Sequence, residues 1–272
     1  MPASYAEYMK TQNKTALVTG ASSGIGAQFA KQLAARGVNL VITARRKELL
    51  DDLAADLSER HGVQVTCLPM DLSEPGSAKK LFDQTEGAGK PIDILINNAG
   101  FASFGSFANM PWETVDNLIN VDIRVLTELT HRFVRTMHAR NRGHILNVAS
   151  AASYVPVPFY AVYAAAKTYV RNFTEALSHE LRKTKVRVCC LCPGAVKTEF
   201  WDVAGQKEIS SLLRATMTTP DKVARVGLRA LFGWRRNVIT GFVNKLVFWF
   251  TRLSPRRFIV RIAGALMGKG GK

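Results

Sequence analysis

The last 51 residues of the chain contain no aspartate or glutamate. Residues 222–272 hold 12 of the 37 Lys and Arg, so most of the formal +16 sits at one end and the first 221 residues carry only about +4. Long apolar runs are also missing. Nothing approaches the roughly 18 to 20 consecutive apolar residues of a membrane-spanning helix. The opening MPASYAEYMKTQNKT lacks the basic-then-apolar order of a secretory leader, so a cytoplasmic location is expected. Cysteine is scarce, at 4 residues, and Cys189, Cys190 and Cys192 crowd into one run, VRVCCLCPG. Neither a CxxC pair nor clustered histidines accompany them, so the run reads as a buried strand and no metal site is expected. With 47% hydrophobic and 21% charged residues the composition is globular.

What is present alternates. KTALVTG, VNLVITA, VQVTCLPMD, IDILINNAG, GHILNVAS, VRVCCLCPG and the short NVITG read as strands. Helical periodicity fills the intervals, in GIGAQFAKQLAARG, RRKELLDDLAADLSERHG and WETVDNLINVDIRVLTELTHRFVRTMHAR. Strands alternating with helices of this length predict crossover units. The expected fold is a Rossmann-like, doubly wound parallel β-sheet of about seven strands with helices on both faces. No repeat or linker divides the chain, so one domain over 1–272 is expected, with about 241–272 as a basic amphipathic C-terminal extension.

Between the first strand and first helix lies TGASSGIG, residues 19–26. Gly20, Gly24 and Gly26 permit a tight turn and close approach of backbone to ligand, and a helix N-terminus behind them attracts phosphate. Ser22, Ser23 and Ile25 complete the loop. An NAD enzyme usually places an acid after the second strand, to hold the ribose 2′-hydroxyl. Here that strand ends in Ala44-Arg45-Arg46. A guanidinium suits a 2′-phosphate, so NADP(H) is expected over NAD(H), with Arg45 as its partner and Arg46 as the solvated start of the next helix.

YAVYAAAK, residues 160–167, sets Tyr163 and Lys167 one helical turn apart with only alanine between. Alone, the pair is an ordinary i,i+4 contact. Ser150 lies 13 residues before Tyr163, Asn97-Asn98-Ala99-Gly100 ends the fourth strand, and Pro193-Gly194 precedes Thr198. Together with TGASSGIG, these ordered motifs resemble the short-chain dehydrogenase/reductase family over roughly residues 13–200.

That resemblance implies an NAD(P)-dependent oxidoreductase acting between alcohol and carbonyl. Tyr163 would be the general acid or base, with Lys167 lowering its pKa and holding the nicotinamide ribose, and Ser150 binding the substrate oxygen. The alanines would leave room beside the helix. Asp71, Asn98, Ala99, Gly100, Pro193, Gly194 and Thr198 would join the glycine loop, Arg45, Tyr163 and Lys167 around the cofactor. A homodimer or homotetramer is expected. One position departs: the family usually has Asn in the long helix as part of a proton relay, and counting 28 residues back from Ser150 gives Asp122. Asn120 would face elsewhere. A cofactor-binding regulator on the same fold is the alternative to an enzyme, and the intact Ser150, Tyr163 and Lys167 favour the enzyme.

Residues expected near the site are apolar: Phe101, Phe104, Phe107, Tyr154, Val155, Pro156, Pro158, Phe159, Phe200 and Trp201. They suggest a lipophilic ketone or aldehyde, of acyl or steroid type, rather than a sugar. In the C-terminal segment Phe248, Trp249 and Phe250 stand beside Arg252, Arg256, Arg257 and Arg261, with Lys269 and Lys272 beyond. Two readings remain: an interfacial anchor on the inner face of an anionic membrane, or a helix packed on a partner subunit with its arginines solvated. No nucleic-acid-binding module accompanies the charge, so nucleic acid is not an expected partner.

Overall fold

The structure is a computed structural model that describes residues 14–206, 211–233 and 235–267. Residues 1–13, and Lys269 and Lys272 of the basic tail, lie outside the described residues. Seven parallel strands form one sheet: β1 (Thr15–Thr19), β2 (Asn39–Thr43), β3 (Val65–Cys67), β4 (Ile94–Asn97), β5 (Gly143–Val148), β6 (Val186–Cys192) and β7 (Asn237–Ile239), in the order β3-β2-β1-β4-β5-β6-β7. The order reverses between β1 and β4, which opens a crevice at the carboxyl ends of the strands.

The inner strands are apolar on both faces because each face is covered. Ala16 and Val18 of β1 turn to one side and Leu17 to the other, since side chains alternate along a strand. On the first side pack α1 (Gly24–Ala34), through Phe29 and Leu33, and α2 (Lys47–His61), through Leu50 and Leu57. On the other side, α3 (Ser77–Asp83) brings Leu81 and the long central helix brings Phe133 and Met137. Cys189, Cys190 and Cys192 of β6 are all buried, as expected of a core strand.

The central helix is not continuous. It runs as α4 (Trp112–Ile119), a π-helical turn over Asn120–Val125, and α5 (Leu126–Ala139). Such a wide turn inserts a residue into the helical ladder and re-aims the side chains around it. After β5 comes α6 (Ala161–Glu180), the helix of Tyr163 and Lys167. The remaining helices are α7 (Phe200–Val203), α8 (Ser211–Ala215), α9 (Pro220–Phe232), α10 (Phe242–Leu253) and α11 (Arg256–Met267).

A buried polar chain ties α6 to the sheet. Asn97 Nδ2 donates to Asn147 Oδ1 at 2.9 Å and to Thr130 Oγ1 at 3.0 Å, and Asn147 Nδ2 donates to Thr174 Oγ1 at 3.0 Å. All four residues are buried, so each missing partner would leave an unsatisfied polar atom out of reach of water. Asn147→Ala orphans groups on β4 and α6 at once and should cost about 2–4 kcal/mol in urea unfolding. A loss below about 1 kcal/mol would mean that the chain does not hold α6 in place.

Candidate active site

Loops following β1, β4, β5 and β6 surround a cleft of about 680 Å³. One end is built from backbone. Gly20 turns at φ +65°, and a Cβ there would come within 3.0 Å of Ala99 Cα, so only glycine lets this loop lie against the loop after β4. Asn98 Nδ2 fastens the two loops by donating to Thr19 O at 3.0 Å and Gly20 O at 3.2 Å. Helix α1 begins at Gly24 with no side-chain cap and no acid in its first turn. Its free N–H groups are therefore left for an anion. Ser22, Ser23, Ile25, Arg45, Arg46 and Asp71 line the same end. Uncapped amides with arginines lining the same end of the cleft fit a dinucleotide phosphate. Asn98, Ala99, Gly100, Pro193, Gly194 and Thr198 carry the lining on toward Tyr163.

The middle of the cleft holds Ser150, Tyr163 and Lys167. Lys167 Nζ lies 5.6 Å from the centre of the Tyr163 ring. The ammonium donates to Asp122 Oδ1 at 2.8 Å and to Val148 O at 3.2 Å. Asp122 is fully buried, and the π-helical turn is what points it at Lys167. Gly100 is glycine for the same reason: a Cβ there would strike Asp122 Oδ1 and come within 3.0 Å of Lys167 Nζ. Asn120 faces away, with Nδ2 donating to Ser73 O at 2.6 Å.

Burial raises the Asp122 carboxyl above its ordinary pKa, against the pull of the ammonium. Burial is the largest influence on Lys167 and disfavours its charge, but Asp122 and Tyr163 together reverse it and the ammonium is raised. Burial raises the Tyr163 phenol too. Lys167 and the Ser150 hydroxyl pull the phenol down, while Asp122 pushes it further up. The net direction among the chain's own groups is upward, the reverse of the effect expected from Lys167 alone.

Residues 14–209 match the sequence model of the family described as short chain dehydrogenase. The chain belongs to this family. It is an NAD(P)-dependent oxidoreductase of the dehydrogenase/reductase type. A 7beta-hydroxysteroid dehydrogenase of Collinsella aerofaciens is 30% identical over 231 residues, 84% of this chain and 86% of that protein. The ketoacyl reductase HetN of Nostoc sp. is 31% identical over 248 residues, 89% and 85% of the two chains. Among solved structures, a short-chain dehydrogenase from Sphingobium yanoikuyae in complex with NADPH superposes with a TM-score of 0.77 at 32% identity, covering 83% of this chain and 87% of its own.

The cleft differs from the sequence-based expectations in four further places. Gly26 does not line the cleft; a Cβ there would run into Gly20 O, so it serves the folding of the loop on itself. None of the three alanines lines the cleft: Ala164 and Ala166 are buried and seat α6 closely in the core, and Ala165 is exposed. Of the expected apolar lining, Phe101, Val155, Phe200 and Trp201 are present, whereas Phe107 is 58% exposed and Tyr154 packs on Phe248 at 4.8 Å. Phe104 packs at a tilt on Phe159 and Tyr160 and does not line the cleft. Arg46 is not merely solvated: it donates to Glu199 Oε2 at 2.8 Å across the cleft.

The C-terminal segment also reaches the site. Asn244, Val247, Ala263, Leu266 and Met267 line the cleft. A Cβ on Gly194 would collide with Asn244, so the turn after β6 and α10 fit one another closely. Nothing in the basic, aromatic pattern of the segment revealed this inward face.

Asp122→Asn removes the charge that pushes the phenol upward. In alcohol oxidation, which needs phenolate, the rising limb of kcat/KM against pH should move to lower pH. An unmoved limb would show that Asp122 does not tune Tyr163.

Proposed function

We propose that the chain is an NADPH-dependent carbonyl reductase for a bulky lipophilic ketone or aldehyde of steroid or acyl type. The observation that carries this reading is the apolar chamber beside Tyr163. Val155, Val157, Tyr160, Phe200, Trp201 and Met267 line it, and Phe200 lies 5.6 Å from the Tyr163 ring. Such a wall rewards burial of apolar surface and offers a sugar few hydrogen-bond partners. The 7beta-hydroxysteroid dehydrogenase and the ketoacyl reductase similar to this chain are named for substrates of that character.

When bound, the dinucleotide supplies the hydride. The chain's own residues do the rest. Ser150 donates a hydrogen bond to the carbonyl oxygen and holds the substrate in register. Tyr163 gives that oxygen its proton. A phenol whose pKa is raised above 10 is protonated at neutral pH and suits this acid role better than the base role. Lys167, held by Asp122, keeps a positive charge beside the phenol as it loses its proton. Arg45, which follows β2 where an NAD enzyme usually places an acid, favours the 2′-phosphate of NADPH.

NADPH oxidation against steroid ketones, 3-oxoacyl thioesters, long-chain aldehydes and ketoses tests the class. Turnover of at least one apolar carbonyl and little of the ketoses is expected. Tyr163→Phe should lower kcat by about 100-fold or more while leaving NADPH affinity nearly unchanged. A variant that keeps a tenth of the rate would remove Tyr163 from the acid role. Arg45→Asp should cut the NADPH-to-NADH ratio of kcat/KM by roughly 10- to 100-fold. An unchanged ratio would move the discriminating charge to Arg46.

A further inference from the structure

Among the described residues, fifteen large hydrophobic side chains stand exposed, and nine of them lie in α10 and α11. They form faces rather than scattered sites. Leu246, Trp249, Phe250 and Leu253 follow the i, i+3, i+4, i+7 spacing of one helix stripe, and Leu253 is 83% exposed. Phe250 meets Phe258 with ring centres 6.4 Å apart, which joins the stripe to the exposed side of α11. The opposite faces are engaged. Phe248 packs on Tyr154, and Ile259 is buried. The outer face is thus turned outward by the way the inner face is seated.

Charge selects the occupant. Lys245, Arg252, Arg256, Arg257 and Arg261 are exposed on the same two helices, with no ion pair among the described residues. No acid follows Asp221 in the chain. In a twofold dimer built on this face the patch would meet itself, arginine opposite arginine. An anionic surface meets it with opposite charge. Each helix has 12 residues, about 18 Å long at 1.5 Å per residue, well short of the roughly 30 Å hydrocarbon core. Neither is long and apolar enough to cross a membrane. Apolar stripes with Trp and Phe, flanked by arginine, match a helix lying in the headgroup region.

We propose that α10 and α11 form a docking face for an anionic lipid bilayer. Val247 and Leu266 belong to both the exposed face and the cleft lining, at 44% and 48% exposed. The rim of the substrate chamber is therefore part of the docking face. This last step rests on the function proposed above: a lipophilic carbonyl would pass from the bilayer into the chamber without crossing water.

The full chain, incubated with neutral phosphatidylcholine vesicles and with vesicles containing phosphatidylglycerol, tests the proposal by sedimentation at low and high salt. Roughly tenfold tighter binding to the anionic vesicles is expected, weakened but not abolished by salt, because apolar insertion is not screened. Arg256→Glu with Arg257→Glu should erase the anionic preference. Trp249→Ser with Leu253→Ser should remove the salt-resistant part. NADPH binding by each variant reports that it is folded, and turnover of a water-soluble carbonyl is scored separately, so failure of docking and failure of the proposed reaction are distinguishable. Binding of the full chain to neither vesicle would overturn the proposal. So would unaltered vesicle binding by both variants, or loss of a solution dimer in Trp249→Ser with Leu253→Ser without any vesicle binding, which would make the face an interface between copies.

Discussion

The buried ion pair between Asp122 and Lys167 is the interaction around which the site is arranged. Placing two charges out of water costs more than an exposed pair can return, so the geometry around them must be tight. The π-helical turn points Asp122 inward, Gly100 gives up its side chain to make room, and Val148 O accepts a second hydrogen bond from the ammonium. Removing either partner would leave an uncompensated charge, at about 3–5 kcal/mol. The pair thus fixes α6 against the central helix and the loop after β4, three segments distant in sequence.

The same pair sets the electrostatics of the phenol. An unopposed ammonium beside Tyr163 would favour phenolate. With Asp122 at 2.8 Å, part of that field is cancelled, and burial tips the balance toward the neutral phenol. An asparagine at this place would orient a lysine without neutralising it. The chain has therefore changed the charge of its site without changing Ser150, Tyr163 or Lys167, and the change acts on the proton donor.

Much of this was legible in the sequence. Parallel strands declare themselves as doubly apolar runs, and the glycine loop, the strand-end arginines and the ordered Ser150, Tyr163 and Lys167 have fixed spacings. What escaped had physical reasons. A π-turn adds one residue to a helix without breaking its apolar periodicity, so WETVDNLINVDIRVLTELT reads as a continuous helix. Alanine is small whether it clears space or packs tightly, and only the neighbours of α6 decide between the two. Aromatic residues close in sequence, such as Phe104 and Phe107, point in different directions once the loop takes its shape. The pairing of Arg46 with Glu199 joins residues 153 apart, beyond any local pattern. The C-terminal helices carry two apolar faces, and the conspicuous one faces outward while the other closes the cleft.

Direct titration of the Tyr163 phenol probes the ion pair's role most closely. With tyrosine labelled at the ring carbon bearing the hydroxyl, the Tyr163 resonance is the one missing from Tyr163→Phe, and its shift can be followed by NMR against pH. A midpoint above the ordinary phenol value of about 10 is expected in the cofactor-free protein, falling in Asp122→Asn. A midpoint at or below that value, unmoved by the substitution, would contradict the account in which burial and Asp122 together hold the Tyr163 phenol above its ordinary pKa.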